Sequence, residues 1–89
     1  MRHIKEVLVE ISTLLKNYKE NEWSITFNSF LLEIDIEEID TVKKGVRSLY
    51  GGMGSFNDLV LYSNGVLSYR GNVILDELRR ELFDITNHP

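Results

Sequence analysis

From Ile4 to Tyr18 the apolar residues Ile4, Val7, Leu8, Ile11, Leu14, Leu15 and Tyr18 recur three and four positions apart, the period of one face of an α-helix. A short amphipathic helix is marginal in water by itself, so this stripe has to be covered by other parts of a fold. The chain has 89 residues, the size of one small domain, and the covering elements are expected within a single folding unit spanning 1–89. A chain of this length buries somewhat more than ~60% of the surface its unfolded form exposes, which leaves room for a homodimer to add stability.

The covering elements are legible as further periodic segments. Trp23, Phe27, Phe30 and Leu31 keep helical spacing, which predicts a second helix over 22–33. Leu32, Ile34 and Ile36 alternate with Glu33, Asp35 and Glu37 as a strand would, but Asp35 with Glu38 three residues later resembles a capping box. The helical reading is preferred. It predicts a third helix over 36–50 that buries Ile36, Ile39, Val42, Val46, Leu49 and Tyr50 and ends at Gly51 and Gly52. Gly45 inside that helix predicts a close neighbour.

Between Leu59 and Tyr69 the pair Asn64-Gly65 signals a two-residue hairpin turn, because both positions tolerate positive φ. The register then sets Ser63 opposite Val66 and Tyr62 opposite Leu67. One face, Val60, Tyr62, Leu67 and Tyr69, is expected to lie on the helices. Asn72 is the expected N-cap of a last helix over 73–86, burying Ile74, Leu75, Leu78, Leu82, Phe83 and Ile85 and packing back on the first helix. The predicted fold class is α+β and mainly helical: about four helices, with one short β-hairpin before the C-terminal helix.

Composition narrows the chemistry. Cysteine is absent, which removes disulfides, thiolate nucleophiles and Cys-based zinc or iron–sulfur sites. Lys5, Glu6 and Glu10 interrupt any leader-like apolar run, and no segment approaches the ~18 apolar residues of a membrane span, so a cytoplasmic location is expected. Ten Lys and Arg against fourteen Asp and Glu leave a net charge of −4. That balance disfavours a phosphate backbone and suits a basic protein partner. Lys43, Lys44 and Arg47 form a small basic patch on the third helix, too narrow for a DNA-binding face, with an Asp40–Lys44 pair expected to offset part of it.

The unusual stretch is Tyr50-Gly51-Gly52-Met53-Gly54-Ser55-Phe56-Asn57-Asp58-Leu59. Gly51, Gly52, Gly54 and Ser55 could bind an anion or other small ligand through exposed backbone amides. The run nevertheless lacks the Lys-Ser/Thr ending of a phosphate-binding loop and the last glycine of a dinucleotide site. A structural reversal is the preferred reading, with Asn57 or Asp58 capping backbone amides. Together with the Trp23 segment and the Asn72-to-Leu82 helix, this run resembles a family of small bacterial proteins of unknown function that share a Tyr-Gly-Gly-Met-Gly-Ser-x-Asn-Asp-Leu core. The resemblance implies a compact, mainly helical bacterial domain, and its size and style are those of immunity proteins carried beside secreted toxins. It implies no catalytic residues.

Glu33, Asp35, Glu37, Glu38 and Asp40 concentrate negative charge in one short segment. Such a run is either a solvated helix start favoured by the macrodipole or a docking face for a basic partner. Catalytic candidates are poor: His3 and His88 lie near the ends of the chain with one carboxylate each at helical spacing, and Ser55 has no motif-defined base. The aromatic residues read mostly as core, with Trp23 or Phe56 as an anchor beside the acidic run if exposed. The sequence therefore predicts a non-enzymatic protein-binding domain, most concretely an immunity protein without a cofactor that neutralises a toxin through Glu33, Asp35, Glu37, Glu38 and Asp40. The alternative is an anion-binding or regulatory domain built on the glycine-rich turn.

Overall fold

The first helix, α1 (Ile4–Asn17), begins where the exposed His3 accepts the Lys5 amide on Nδ1 at 3.1 Å. Its stripe buries Ile4, Val7, Leu8, Ile11 and Leu15, and packs Leu14 and Tyr18 partly against the same core. The helix closes with Glu20 N–H on the Leu15 carbonyl at 2.9 Å and Lys19 N–H on the Lys16 carbonyl at 3.1 Å. This pair of bonds is the Schellman arrangement, and it holds Lys19 at φ 62°, a left-handed position that normally belongs to glycine. The computed structural model describes residues 2–51 and 54–87.

The short connection folds α2 (Asn21–Glu33) back along α1, where Ser12 Oγ donates to Asn28 Oδ1 at 2.6 Å. Phe27 and Phe30 enter the core, while Trp23 and Leu31 are half-buried against it. The next helix, α3 (Ile39–Arg47), buries Val42 and Val46. A Cβ built on Gly45 would sit 2.8 Å from Cε1 of Phe30, so the predicted close approach is that of the α2 aromatic.

The start of α3 corrects the sequence reading. The amides of Ile36 and Glu37 both bond back to the Glu33 carbonyl, at 3.0 and 2.7 Å. The chain thus winds on from the end of α2, and Asp35 makes no cap. Extended Glu38 precedes the new helix without a side-chain cap bond. Ile36, expected in the core, is consequently 80% exposed, and Ile39 is exposed as well. At the other end Leu49 and Tyr50 tighten into 3-10-type bonds to Val46 and Arg47, and Gly51 takes φ 93°. Gly52 and Met53 lie outside the described residues.

The glycine-rich run turns the chain so that Phe56, in the 3-10 turn Phe56–Asp58, returns to the interior with its amide on the Leu49 carbonyl at 2.9 Å. Phe56 is fully buried, with ring centroids 4.8 Å from Phe27, 5.4 Å from Trp23 and 5.8 Å from Tyr50. Aromatic pairs at such distances add to the burial of area alone.

The hairpin pairs β1 (Tyr62–Ser63) with β2 (Val66–Leu67) in the predicted register, Tyr62 opposite Leu67 and Ser63 opposite Val66. Asn64 and Gly65 have φ 53° and 77°, as the two-residue turn requires. The expected buried face is inverted: Leu61 is fully buried and Leu59 half-buried, whereas Val60, Tyr62, Leu67 and Tyr69 face solvent. The last helix, α4 (Tyr69–Thr86), starts earlier than the spacing suggested, with Ser68 as N-cap accepting the Gly71 amide at 3.1 Å. Asn72, expected as the cap, sits inside the helix and binds Leu61. Tyr18 crosses Gly71 so closely that a Cβ there would lie 2.5 Å from its ring, and its hydroxyl hydrogen-bonds Ser68 Oγ at 2.8 Å.

Leu75, Leu78, Leu82 and Ile85 of α4 are buried as predicted, but Ile74 and Phe83 are exposed, so the aromatic set is less completely internal than expected. The core draws on all four helices, and α4 packs on α1. Arg2 fastens the same pair, donating from Nε and Nη2 to the two Glu81 carboxylate oxygens at 2.8 and 2.7 Å and pairing also with Glu10. These two bonds hold the Glu81 carboxyl below its ordinary range. Among the described residues, no helix is long and apolar enough to cross a membrane.

Candidate functional site

The corner between α2 and α3 carries the whole acidic run. Glu33 is the last residue of α2, Asp35 and Glu37 lie in the connecting turn, Glu38 precedes α3 and Asp40 is in its first turn. All except the half-buried Glu33 are exposed. Among the described residues, Asp35 alone of the five forms an ion pair, with Lys5 Nζ at 3.3 Å, and the expected Asp40–Lys44 pair is not made. Leu32 and Ile36 stand among these carboxylates at 73% and 80% exposure. The corner therefore presents apolar side chains within a negative field, a mixture the sequence concealed by placing Ile36 in a predicted core.

Local electrostatics do not account for the full run. Glu38 and Asp40 sit at the N-terminus of α3, where the helix dipole favours negative charge, but Glu33 sits at the C-terminus of α2, where it is opposed. The last turn of α2 contains no basic residue to relieve it. Lys44 and Arg47, by contrast, fall in the last turn of α3, where positive charge is favoured.

The glycine-rich turn is a second candidate, and much of its backbone is already engaged. Asp58 Oδ2 accepts the Gly54 amide at 2.9 Å, the side-chain capping expected of this segment. Arg79, on α4, extends Nη1 to the carbonyls of Phe56, Asn57 and Leu59 at 2.8, 3.2 and 2.9 Å and pairs with Asp76. Its guanidinium lies 5.8 Å from the Phe56 ring centroid. Gly51 and Gly54 are left-handed, and Ser55 Oγ is buried with no hydrogen-bond partner among the described residues. Gly52, the remaining member of the predicted ligand set, is outside the described residues. Tyr50 donates its hydroxyl to the Arg79 carbonyl at 2.9 Å, and burial pushes its pKa up although Arg79 opposes the shift.

Trp23 and Phe56 do not serve as exposed anchors, because Phe56 is internal and the half-buried Trp23 packs against it with its ring tilted by 43°. His3 is committed to capping α1, and His88 lies outside the described residues. Among the described residues, no group of three His, Asp or Glu side chains converges as metal ligands. Sequence reasoning missed Arg79 and the true role of Asn72. Both act on backbone groups of a distant segment, a relation with no signature in local spacing.

The described residues thus form four α-helices with a hairpin inserted before the last of them, and the sequence falls in a recognised but functionally unassigned class. The chain belongs to the family described as Domain of unknown function (DUF6966), which it matches over residues 16–68, more than half its length. The matched span runs from the end of α1 through α2, α3, the glycine-rich turn and the hairpin. Comparison with curated proteins and with solved structures gives no match.

Proposed function

We propose that this chain is a non-enzymatic protein-binding domain that docks a basic partner on the α2–α3 corner, and that its role is that of a bacterial immunity protein neutralising a toxin by direct binding. The supporting observation is the exposure of Leu32 and Ile36 among carboxylates of which only Asp35 is in an ion pair among the described residues. Apolar contact supplies affinity at such a surface, and the surrounding charge steers the partner and rejects acidic competitors. A negative charge held at the unfavourable end of α2 is the kind of local cost that a binding role explains.

The test is parallel affinity capture from a lysate of the source organism, using the tagged chain and a variant carrying Glu33→Lys, Asp35→Lys and Glu37→Lys. The expected result is one basic protein in near-stoichiometric amount, released by moderate salt and weakened at least ~100-fold by the variant. Equal recovery of the same proteins by both baits would overturn the proposed face. The buried Ser55 hydroxyl, which has no hydrogen-bond partner among the described residues, favours a second reading, an anion at the glycine-rich turn. That reading requires thermal stability to rise with added phosphate or nucleotide, and a flat response rejects it.

A further inference from the structure

The hairpin presents a second surface, unrelated to the acidic corner. Asn72 accepts the Leu61 amide on Oδ1 at 2.9 Å and donates Nδ2 to the Leu61 carbonyl at 3.0 Å. With Leu61 fixed and fully buried, strand alternation turns its neighbours Val60 and Tyr62 outward, and the Tyr62–Leu67 pairing puts Leu67 on the same face as Tyr62. Val60, Tyr62 and Leu67 are 41%, 53% and 58% exposed, and Tyr69, which follows at the start of α4, is 83% exposed. Val73, one helical turn further on, is exposed as well. This is a held surface of apolar and aromatic side chains, turned to solvent by a specific side-chain clamp on the adjoining residue.

Charge indicates what fits it. The chain carries a net charge of −4, yet from Leu59 to Val73 there is no carboxylate and Arg70 is the sole charged residue. Two copies meeting here set no carboxylates of this segment against each other, which contact through the acidic corner would do. The five side chains present on the order of 600 Å² per chain, or roughly 1,200 Å² across two copies, the lower end of specific interfaces. We propose that two copies of this chain associate face to face through the outer side of the hairpin, Val60, Tyr62 and Leu67, continued by Tyr69 and Val73 of α4.

The test is sedimentation equilibrium of the full chain across concentration and salt, beside Leu67→Glu and Tyr62→Glu. Circular dichroism and thermal melting establish that each variant folds. The expected result is a reversible dimer with a dissociation constant of about 1–100 μM that holds or tightens as salt rises, since screening relieves repulsion between acidic chains. Each folded glutamate variant should weaken it at least tenfold, while Glu37→Lys at the acidic corner leaves association through the hairpin intact. A chain that stays monomeric up to about 0.5 mM overturns the proposal, as does a dimer indifferent to both glutamate variants. The salt response runs opposite to that of the acidic-corner complex, so failure of one assignment is separable from failure of the other.

Discussion

Replacing Asn72 with Ala removes three hydrogen bonds, but it strands only one group. The Leu61 carbonyl keeps the Ser68 amide at 3.0 Å, and the Ser68 carbonyl keeps the backbone amide of residue 72 at 3.1 Å. The Leu61 N–H has no such reserve, because its bond goes to Asn72 Oδ1 and its residue is fully buried. An unsatisfied buried donor costs about 1–3 kcal/mol, and the two remaining bonds contribute about 0.5 kcal/mol each when their acceptors stay partnered. Alanine returns roughly 0.6 kcal/mol in helix propensity. The expected net loss is about 1.5–3.5 kcal/mol, seen as a fall in Tm of roughly 6–28 °C and a lower urea midpoint at unchanged slope. Asn72→Asp separates the bonding from mere shape. Its carboxylate can still accept from Leu61 N–H, but it opposes the Leu61 and Ser68 carbonyls that Nδ2 now serves. At neutral pH it should cost at least as much as alanine. Because the protonated form can donate, the folded-state pKa is raised and the variant recovers relative to wild type as pH falls through that value. A loss below ~0.5 kcal/mol for Asn72→Ala, with no pH dependence for Asn72→Asp, would refute the clamp.

Lys19→Gly relieves a left-handed non-glycine residue and should raise stability by about 0.5–1 kcal/mol in urea unfolding. Glu33→Lys should also stabilise the free chain, by about 0.3–1 kcal/mol, through a favourable charge at the end of α2, while weakening partner binding; a destabilised variant would contradict that assignment. Glu81→Gln removes a carboxyl whose pKa is held down chiefly by its bonds to Arg2. Its contribution is complete above the ordinary carboxylate range and is lost as pH falls through the lowered value. The wild-type advantage should therefore be present at neutral pH and fade below about pH 4.

Much of this fold follows from local pattern. The α1 stripe has one periodic reading, and Asn64-Gly65 fixes both the turn and the register of the hairpin. Which hairpin face is buried was not legible, because Leu61 is held inward by Asn72 from within the following helix. The same distance explains the misplaced N-cap: Asn72 looks like a helix start locally, but Ser68 caps α4 and leaves Asn72 to bind across the fold. Asp35 and Glu38 imitate a capping box, while the Glu33 carbonyl takes two successive amides and carries the α2 winding past the expected boundary. That displacement puts Ile36 on the surface. The acidic residues were legible as a group, but the apolar side chains among them became visible only once the helix boundary was known.

The measurement that bears most directly on the acidic corner is amide hydrogen exchange of the full chain, free and saturated with its captured basic partner. Binding at the α2–α3 corner predicts slowed exchange concentrated in residues 32–40, with the hairpin at 60–68 unchanged by the partner. Protection confined to the hairpin, the glycine-rich turn or the α1–α4 face, with residues 32–40 exchanging as in the free chain, would contradict it.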